Sequence, residues 1–308
     1  MHQIESLLVT GSNGFVGKSF LEFLAHAPLA LRPKKLILIN RSRSNAIELL
    51  ESQGISVISF QADLSRKWTF AHEATHVLNL AADGGINSYS HQSAKEFIEI
   101  CKNLTNWVKN FKPAVVVHAS SGACFYKDKS TTLFKNKMNL IQSRLQGENL
   151  LLTAGSSSDI KIVVARLFTF LGKNMLDKKQ YAAPIFITDA VLSGHINVTG
   201  NSNTIRSYLH EQVMSEWIYE CLTNDELDGI LSIGSSQPVT IRELADFIGF
   251  QANAKVHYSN LDLEKTVYLP ARNEHFNRIA LHEGPNWQEI VLECIRICKK
   301  GSQNFDKK

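Results

Sequence analysis

One stretch near the start of the sequence, residues 7–17, restricts the fold more than any other. It reads Leu-Leu-Val-Thr-Gly-Ser-Asn-Gly-Phe-Val-Gly, with an apolar run before the first glycine and a helical pattern over 15–25. Three glycines at fixed offsets in this context predict a buried strand, a tight turn and a helix. Gly11 permits the backbone conformation of the turn, and Gly17 lets the helix lie close to the strand.

The start of such a helix is suited to binding an anion. Its amide groups and the positive end of its dipole face a bound phosphate, and Gly14 has no side chain to obstruct the approach. The stretch therefore predicts the pyrophosphate site of a dinucleotide. A glycine-rich turn that holds no ligand is the alternative interpretation.

Strand-like and helix-like segments alternate through the first half of the chain. The candidate strands are 6–10, 35–40, 56–60, 76–80, 114–119 and 161–165. Longer helical patterns, notably 94–110 and 138–154, separate them. This alternation is typical of a parallel sheet with helices on both faces, so the predicted fold class is α/β, a doubly wound, Rossmann-like sheet.

The composition is that of an ordinary soluble globular protein. Of the 308 residues, 44% are hydrophobic and 20% are charged, and the formal net charge of +4 is scattered, which does not favour nucleic-acid binding. No apolar run is long enough to span a membrane, so a cytoplasmic location without membrane contact is expected. The five cysteines lack paired metal-type spacing, so reduced structural cysteines and no metal are expected.

Residues that follow the strands are candidates for binding, because ligands of a doubly wound sheet lie beyond the carboxyl ends of its strands. Asn40, Arg41 and Arg43 follow the second strand. An acid there would bind the adenosine ribose and repel a 2'-phosphate, whereas an uncharged Asn beside arginines accepts that phosphate. NADP is therefore the preferred cofactor, with NAD as the other candidate. Two solvated arginines in a polar turn are the alternative interpretation.

The motif Thr-Gly-x-x-Gly-x-x-Gly at 10–17 resembles the short-chain dehydrogenase/reductase superfamily. Later stretches resemble its extended branch, the NAD-dependent epimerases and dehydratases that modify nucleotide sugars. The resemblance implies a cofactor site at the glycine turn, formed by Gly11, Asn13, Gly14, Phe15, Val16 and Gly17. It also implies that Asp63 and Leu64 meet the adenine and that Leu80, Ala81 and Ala82 line the cofactor.

The expected catalytic centre departs from the pattern of this family. The stretch 116–126 resembles the one whose second Ser, here Ser121, hydrogen-bonds the substrate hydroxyl. The partner motif Tyr-x-x-x-Lys has Leu140 in place of Tyr and Arg144 in place of Lys. Leucine has no proton to exchange, and a guanidinium with a pKa above about 12 can hydrogen-bond a ribose but is no acid or base near neutrality. Tyr126 is the nearest replacement for the Tyr, or else a packed aromatic.

The second half of the chain resembles the smaller C-terminal substrate-binding domain of this family. Thr169 stands where relatives have Asn, and Arg206 matches the arginine that clamps the diphosphate of a nucleotide sugar, a role suited to a planar fork of donors. Arg272 is a weaker phosphate candidate. The implied division is an NAD(P)-binding domain over 1–170 and a substrate-binding part over 171–308, with about 205–240 returning to the main sheet.

Two functions fit these residues. The first is an oxidoreductase or isomerase that uses a bound nicotinamide cofactor as an epimerase, dehydratase or ketoreductase of a nucleotide-diphosphate sugar. The second is a catalytically silent NAD(P)-binding protein, a sensor or an inactive partner subunit. Ser121 and Arg206 favour the first, whereas Leu140 and Arg144 favour the second. The resemblance also makes a homodimer an expectation.

Overall fold

A computed structural model of the chain describes residues 3–68, 71–82, 88–126, 137–259, 264–270, 282 and 284–305. In chain order the strands are β1 (Ser6–Thr10), β2 (Lys35–Asn40), β3 (Ser56–Gln61), β4 (His76–Asn79), β5 (Val115–Ser121), β6 (Lys161–Leu167), β7 (Phe170–Leu171), β8 (His195–Val198), β9 (Ile205–Arg206), β10 (Leu209–His210), β11 (Gly229–Ile233), β12 (Val239–Thr240) and β13 (Lys255–Tyr258). The α-helices are α1 (Phe15–His26), α2 (Ile47–Ser52), α3 (His91–Phe111), α4 (Met138–Ser158), α5 (Ala182–Ser193), α6 (Glu211–Thr223), α7 (Ile241–Ala252) and α8 (Trp287–Phe305).

The central sheet has seven parallel strands in the order β3-β2-β1-β4-β5-β6-β11. The strand order reverses between β1 and β4, so the connections that leave their carboxyl ends run in opposite directions and open a crevice between them. This topology confirms the predicted doubly wound α/β class. Every strand predicted in the first half is present, with ends that differ from the prediction by a few residues at most.

The central strands are buried on both faces, which explains why their sequences are continuous apolar runs. Leu7, Leu8 and Val9 of β1 have no exposed surface. Because side chains alternate along a strand, Leu7 and Val9 join the core beneath α1 and α6, while Leu8 joins the core beneath α3 and α4. One strand thus holds two helical layers together.

The two long helices predicted at 94–110 and 138–154 are confirmed, and both extend further than predicted. The Ser90 hydroxyl caps α3 by accepting a hydrogen bond from the Ser93 amide at 3.0 Å. The helix ends at Lys112, whose φ of 46° is left-handed, just before Pro113. Lys137 is the N-cap residue of α4, and its side chain makes no capping hydrogen bond to the helix.

A second apolar cluster lies in the C-terminal part of the chain, where α5, α7 and α8 pack around the parallel pair β8 and β13. Helix α7 begins with a capping box in which Thr240 and Glu243 each bond the other's backbone amide. Residues of α6 and β11 belong instead to the core of the central sheet. The domain boundary near residue 170 stays a prediction.

The described residues contain neither a candidate membrane span nor a cluster of metal ligands. None of the helices found there combines the length and apolar character needed to cross a membrane. In the same residues no three or more His, Cys, Asp or Glu side chains gather in a group that could hold a metal ion. All five cysteines are free, and four of them are buried.

Candidate active site

The glycine turn joins β1 to α1 and has the tight geometry that the sequence predicted. Gly11 has a φ of 68°, and a Cβ on it would lie 2.7 Å from the Leu80 carbonyl oxygen. A Cβ on Gly17 would lie 2.5 Å from the Ser12 Cα, so this glycine presses the helix against the turn rather than against the strand. Gly14 is the N-cap of α1, and its first turn contains neither a capping side chain nor an acid. The amides at the start of α1 are therefore available to an anion.

A cleft of about 330 Å³ opens between this turn, the ends of β2, β3 and β4, and one face of α3. Its walls contain the predicted cofactor residues Gly11, Asn13, Gly14, Asn40, Arg41, Asp63, Leu64, Leu80, Ala81 and Ala82. They also contain residues that sequence reasoning missed, namely Ile39, Ser42, Ala62, Ser65, Ser93, Glu96, Phe97 and Ile100. The α3 residues carried no local signal, because the face that a helix presents to a cleft depends on its packing.

The remaining predicted cofactor residues lie outside the walls of this cleft. Phe15 and Val16 pack against the central core, as an amphipathic helix start does. Gly17 is buried beneath the turn, and Arg43 is exposed. Arg144 is buried between α3 and β5. Their contacts with a cofactor stay predictions.

Arg144 lies behind the part of the cleft wall that Phe97 forms. Its guanidinium carbon is 3.5 Å from the centroid of the Phe97 ring, and only 6% of the residue is exposed. His118 lies nearby with no exposed surface, and burial together with the charge of Arg144 lowers the pKa of His118 to about 3. The neutral His118 Nδ1 accepts a hydrogen bond from Asn79, whose Oδ1 accepts one from the Thr10 hydroxyl at 2.6 Å. This buried chain fixes β5 and β4 to the end of β1.

The loop after β2 is tied to the glycine turn by amide side chains. Asn40 is 4% exposed and donates a hydrogen bond to the Ser12 hydroxyl at 2.7 Å. Asn13 donates to the backbone carbonyl of Ser42 and to its hydroxyl, both at 3.1 Å. Arg41 is exposed and lines the cleft. An arginine therefore stands at the mouth of the cleft, and the side chain before it is uncharged.

Asp63 is the carboxylate on the opposite wall. Its Oδ1 accepts hydrogen bonds from the Ser65 amide and hydroxyl at 3.1 and 2.7 Å. These bonds, with the charges of Arg66 and Arg41, hold the pKa of Asp63 below its usual value. An ionised acceptor at this position suits the amino group of an adenine.

Ser121 ends β5, where the sequence predicted the catalytic centre. Leu140 is 8% exposed and packs in a small apolar cluster with Tyr126 and Phe168, and Tyr268 lies against this cluster. The Tyr268 hydroxyl lies close enough to Ser121 for this serine to lower the pKa of Tyr268, although burial, the larger cause, raises it. Sequence reasoning missed Tyr268, because it is remote from Ser121 in the chain and stands in no motif.

Tyr126 is close to Ser121 in sequence, but its hydroxyl is engaged elsewhere. It donates to the Leu269 carbonyl and accepts from the Leu269 amide, both at 2.9 Å. The Tyr126 ring lies 5.7 Å from the Tyr268 ring between centroids. These contacts favour the interpretation of Tyr126 as a packed aromatic that positions the segment carrying Tyr268.

Arg206 lies in a pocket of aromatic side chains next to this centre. It is half-buried, and its guanidinium donates to the Ile205 carbonyl at 2.8 Å and to the Thr266 hydroxyl at 3.0 Å. Burial lowers its pKa, which still leaves the guanidinium charged. The Tyr268 ring centroid is 5.9 Å from the guanidinium carbon.

A second cation, Lys137, lies beside Arg206. Burial and the charge of Arg206 lower the pKa of Lys137 to about 8. Two cations near one another are suited to a multiply charged anion such as a diphosphate. Thr169 is half-buried, and its carbonyl accepts the Leu209 amide at 3.1 Å. Arg272, the other phosphate candidate, lies outside the described residues.

The strand order, the glycine turn and the cleft beyond the strand ends define the class of protein, a Rossmann-type dinucleotide-binding α/β fold. The chain belongs to the NAD-dependent epimerase/dehydratase family, whose model matches residues 7–234. That match confirms the resemblance drawn from the glycine motif and the later stretches.

Individual relatives agree with this assignment. The chain is 24% identical over 268 residues to the dTDP-4-dehydro-6-deoxyglucose reductase of Escherichia coli, covering 81% of this chain and 82% of the relative. Its fold matches that of a UDP-N-acetylglucosamine 4-epimerase from Methanobrevibacter ruminantium in complex with UDP-N-acetylmuramic acid, with a TM-score of 0.78, 18% identity and coverage of 98% and 100%. It also matches the Bordetella bronchiseptica enzyme WbmF in complex with NAD+, with a TM-score of 0.75, 17% identity and coverage of 99% and 96%.

Proposed function

We propose that the protein is an enzyme that binds a nicotinamide cofactor and modifies the sugar of a nucleotide-diphosphate sugar, as an epimerase, dehydratase or ketoreductase. The observation that carries this proposal is the cleft at the glycine turn, where the first amides of α1 are free of capping side chains and acids. The family model spans this turn, Ser121 and Arg206. The complexes of similar folds contain either NAD+ or a UDP-sugar.

The residues of the chain would form two binding sites, one for the cofactor and one for the nucleotide sugar. The start of α1 would hold the pyrophosphate, while Asp63 meets the adenine and Leu80, Ala81 and Ala82 form an apolar wall. Arg206 would hold the diphosphate of the sugar nucleotide. Ser121 would orient the reacting sugar hydroxyl. A bound nicotinamide would supply the two-electron oxidation or reduction of the sugar carbon.

We further propose a preference for NADP over NAD. Arg41 lines the cleft and the neighbouring Asn40 is uncharged, so this edge accepts a 2'-phosphate. Calorimetric titration should show tighter binding of NADP, and Arg41→Ala with Arg43→Ala should remove the preference. Arg296→Ala, an exposed arginine of α8, is the control. Tighter binding of NAD by the wild type would overturn this preference.

The silent NAD(P)-binding protein is the less favoured function. Leu140 and Arg144 favour it, yet the Tyr268 hydroxyl close to Ser121 leaves an exchangeable proton at the centre. The homodimer and the cytoplasmic location remain predictions.

A thermal-stability screen tests the proposed function. A ligand that binds the native state raises its stability by mass action, so UDP- and dTDP-sugars should raise the melting temperature further when NADP or NAD is present. The corresponding free sugars, which lack the diphosphate, are the control and should have no effect. Failure of both cofactors to stabilise the protein would contradict the proposal.

A further inference from the structure

The family motif has a tyrosine on α4 where this chain has Leu140. Leu140 occupies the α4 position and joins an apolar cluster at the end of β5. Tyr268 packs against the same cluster, and its hydroxyl lies close to Ser121. A phenol therefore reaches the serine of the expected centre, although it comes from the far end of the chain.

The position of Tyr268 is fixed by several independent contacts. The Tyr268 amide donates to the Ile205 carbonyl at 3.0 Å, within the strand β9 that also carries Arg206. Its ring lies 5.0 Å from the Phe168 ring between centroids. The Tyr126 hydroxyl holds the following residue, Leu269, through both backbone groups. A phenol oriented in this way loses little conformational entropy when a substrate binds.

Lys137 is a proton-exchanging group that lies near this phenol. It is the first residue before α4, and its Nζ lies 5.7 Å from the centroid of the Tyr268 ring and 5.4 Å from that of Tyr89. The charged or titratable groups around it are Tyr268, Tyr89 and Arg206. Burial and the charge of Arg206 lower its pKa to about 8, close to the pH at which a cytosolic enzyme works. Arg144, by contrast, is stacked on Phe97 and cannot release a proton.

We propose that Tyr268 is the proton donor and acceptor of this enzyme and that Lys137 exchanges its proton, so that the pair replaces the missing Tyr-x-x-x-Lys motif. This inference rests on the proposed function. Burial raises the pKa of Tyr268 and the nearby Ser121 lowers it, and the phenol carries its proton at neutral pH. A protonated phenol beside Ser121 is suited to donate.

In the reduction of a sugar carbonyl, a reduced nicotinamide dinucleotide is the reductant and the chain supplies the proton. The carbonyl oxygen forms a bond to the Tyr268 proton as the Tyr268 O–H bond breaks. The phenolate then takes a proton from the Lys137 ammonium, which is recharged from solvent. In the direction of oxidation, the sugar hydroxyl returns its proton by the same path. Ser121 orients the sugar oxygen in both directions.

The first test compares Tyr268→Phe with Tyr258→Phe, a matched change at a hydroxyl that bonds Asp246 in the C-terminal part. Tyr268→Phe should keep the wild-type affinities for NADP and for a nucleotide sugar, measured by calorimetry, while kcat falls by about a hundredfold to ten-thousandfold. Tyr258→Phe should leave kcat unchanged. An unchanged kcat in Tyr268→Phe would overturn the role of the phenol.

The second test measures Lys137 directly, without turnover. Reductive 13C-methylation followed by NMR should give a lysine resonance that titrates near pH 8 and disappears in Lys137→Gln. Lys137→Arg keeps a charge but cannot exchange a proton, so it should lose activity as Lys137→Gln does. A Lys137 titration above pH 10, or full activity in Lys137→Arg, would overturn its role.

Failure of the proposed function and failure of the proposed proton path would give different experimental results. If the wild type binds no cofactor or nucleotide sugar, or binds them without any redox change, the proposed function fails and the proton path falls with it. If the wild type turns over and Tyr268→Phe turns over equally, the function stands and only the proton path is overturned.

Discussion

At the scale of single residues, local geometry was predictable and long-range contact was not. The offsets of Gly11, Gly14 and Gly17 predicted the turn, because its shape depends on the backbone freedom of those positions. The sequence also identified Leu140 as a departure from the family. It could not identify Tyr268, because its contact with Ser121 depends on the path of the whole second half of the chain.

The glycine turn gives a prediction about one methyl group. Gly17→Ala places a Cβ 2.5 Å from the Ser12 Cα, and since backbone cannot give way easily, we expect a loss of about 1–3 kcal/mol in unfolding free energy and weaker cofactor binding. Urea denaturation and calorimetry measure the two effects. Gly200→Ala is the matched control, because nothing lies within 4 Å of its Cβ position. Equal stability of the two variants would show that the turn is looser than described.

The buried His118 should make the free energy of unfolding depend on pH. Its pKa is lowered from 6.5 to about 3 in the folded protein, so between these values the unfolded chain binds more protons and stability falls as the pH falls. The contribution should reach at most about 1.4 kcal/mol per pH unit. Urea midpoints measured across this window should fall less steeply for His118→Gln than for the wild type. Parallel curves would show that His118 is not held neutral.

At the scale of elements, α4, β5 and β6 are joined by one buried cluster of polar side chains. Glu148 of α4 is almost fully buried and forms an ion pair with Arg166 of β6 at 2.6 Å. It also accepts a hydrogen bond from the Ser120 hydroxyl of β5. The existence of α4, β5 and β6 was predictable from periodicity. The contact of Glu148 with both β5 and β6 was not predictable, because an ion pair between residues remote in the sequence leaves no periodic signal.

This contact predicts a large effect from a single helix substitution. Glu148→Ala leaves the Arg166 guanidinium without its buried carboxylate, which should cost about 3–5 kcal/mol. The comparison variant is Glu99→Ala on α3, whose partner Lys102 is half exposed, and it should cost at most about 1 kcal/mol. Thermal or urea denaturation would distinguish them. Similar losses in the two variants would contradict a structural role for the Glu148 pair.

At the scale of the whole molecule, the site depends on both ends of the chain. The central sheet and its cofactor cleft follow from the alternation of strands and helices, so the fold class was predictable. The second half supplies Arg206 and Tyr268 from segments joined by short bridges at Ile205. Such two-residue strands are too short for sequence periodicity to reveal, so the partners of Arg206 were beyond prediction.

Because different residues would bind the nucleotide sugar and the cofactor, one substitution should lower the affinity for the sugar nucleotide and leave the affinity for the cofactor unchanged. Arg206→Ala should weaken nucleotide-sugar binding by about tenfold to a hundredfold, because a charged hydrogen-bonding partner contributes about 1.5–3 kcal/mol. Cofactor affinity should stay unchanged. Arg242→Ala, an exposed arginine stacked on Tyr258, is the control. Unchanged sugar-nucleotide affinity in Arg206→Ala would place the diphosphate elsewhere.

Single-turnover absorbance of the bound nicotinamide would show whether this chain oxidises or reduces the sugar of a nucleotide sugar. Protein loaded with reduced or oxidised cofactor is mixed with UDP- and dTDP-sugars and their 4-keto derivatives. We expect the nicotinamide absorbance to change with at least one of these compounds in the wild type. We expect no such change in Tyr268→Phe. No change with any member of the panel, in protein that calorimetry shows to bind both ligands, would contradict the proposed function.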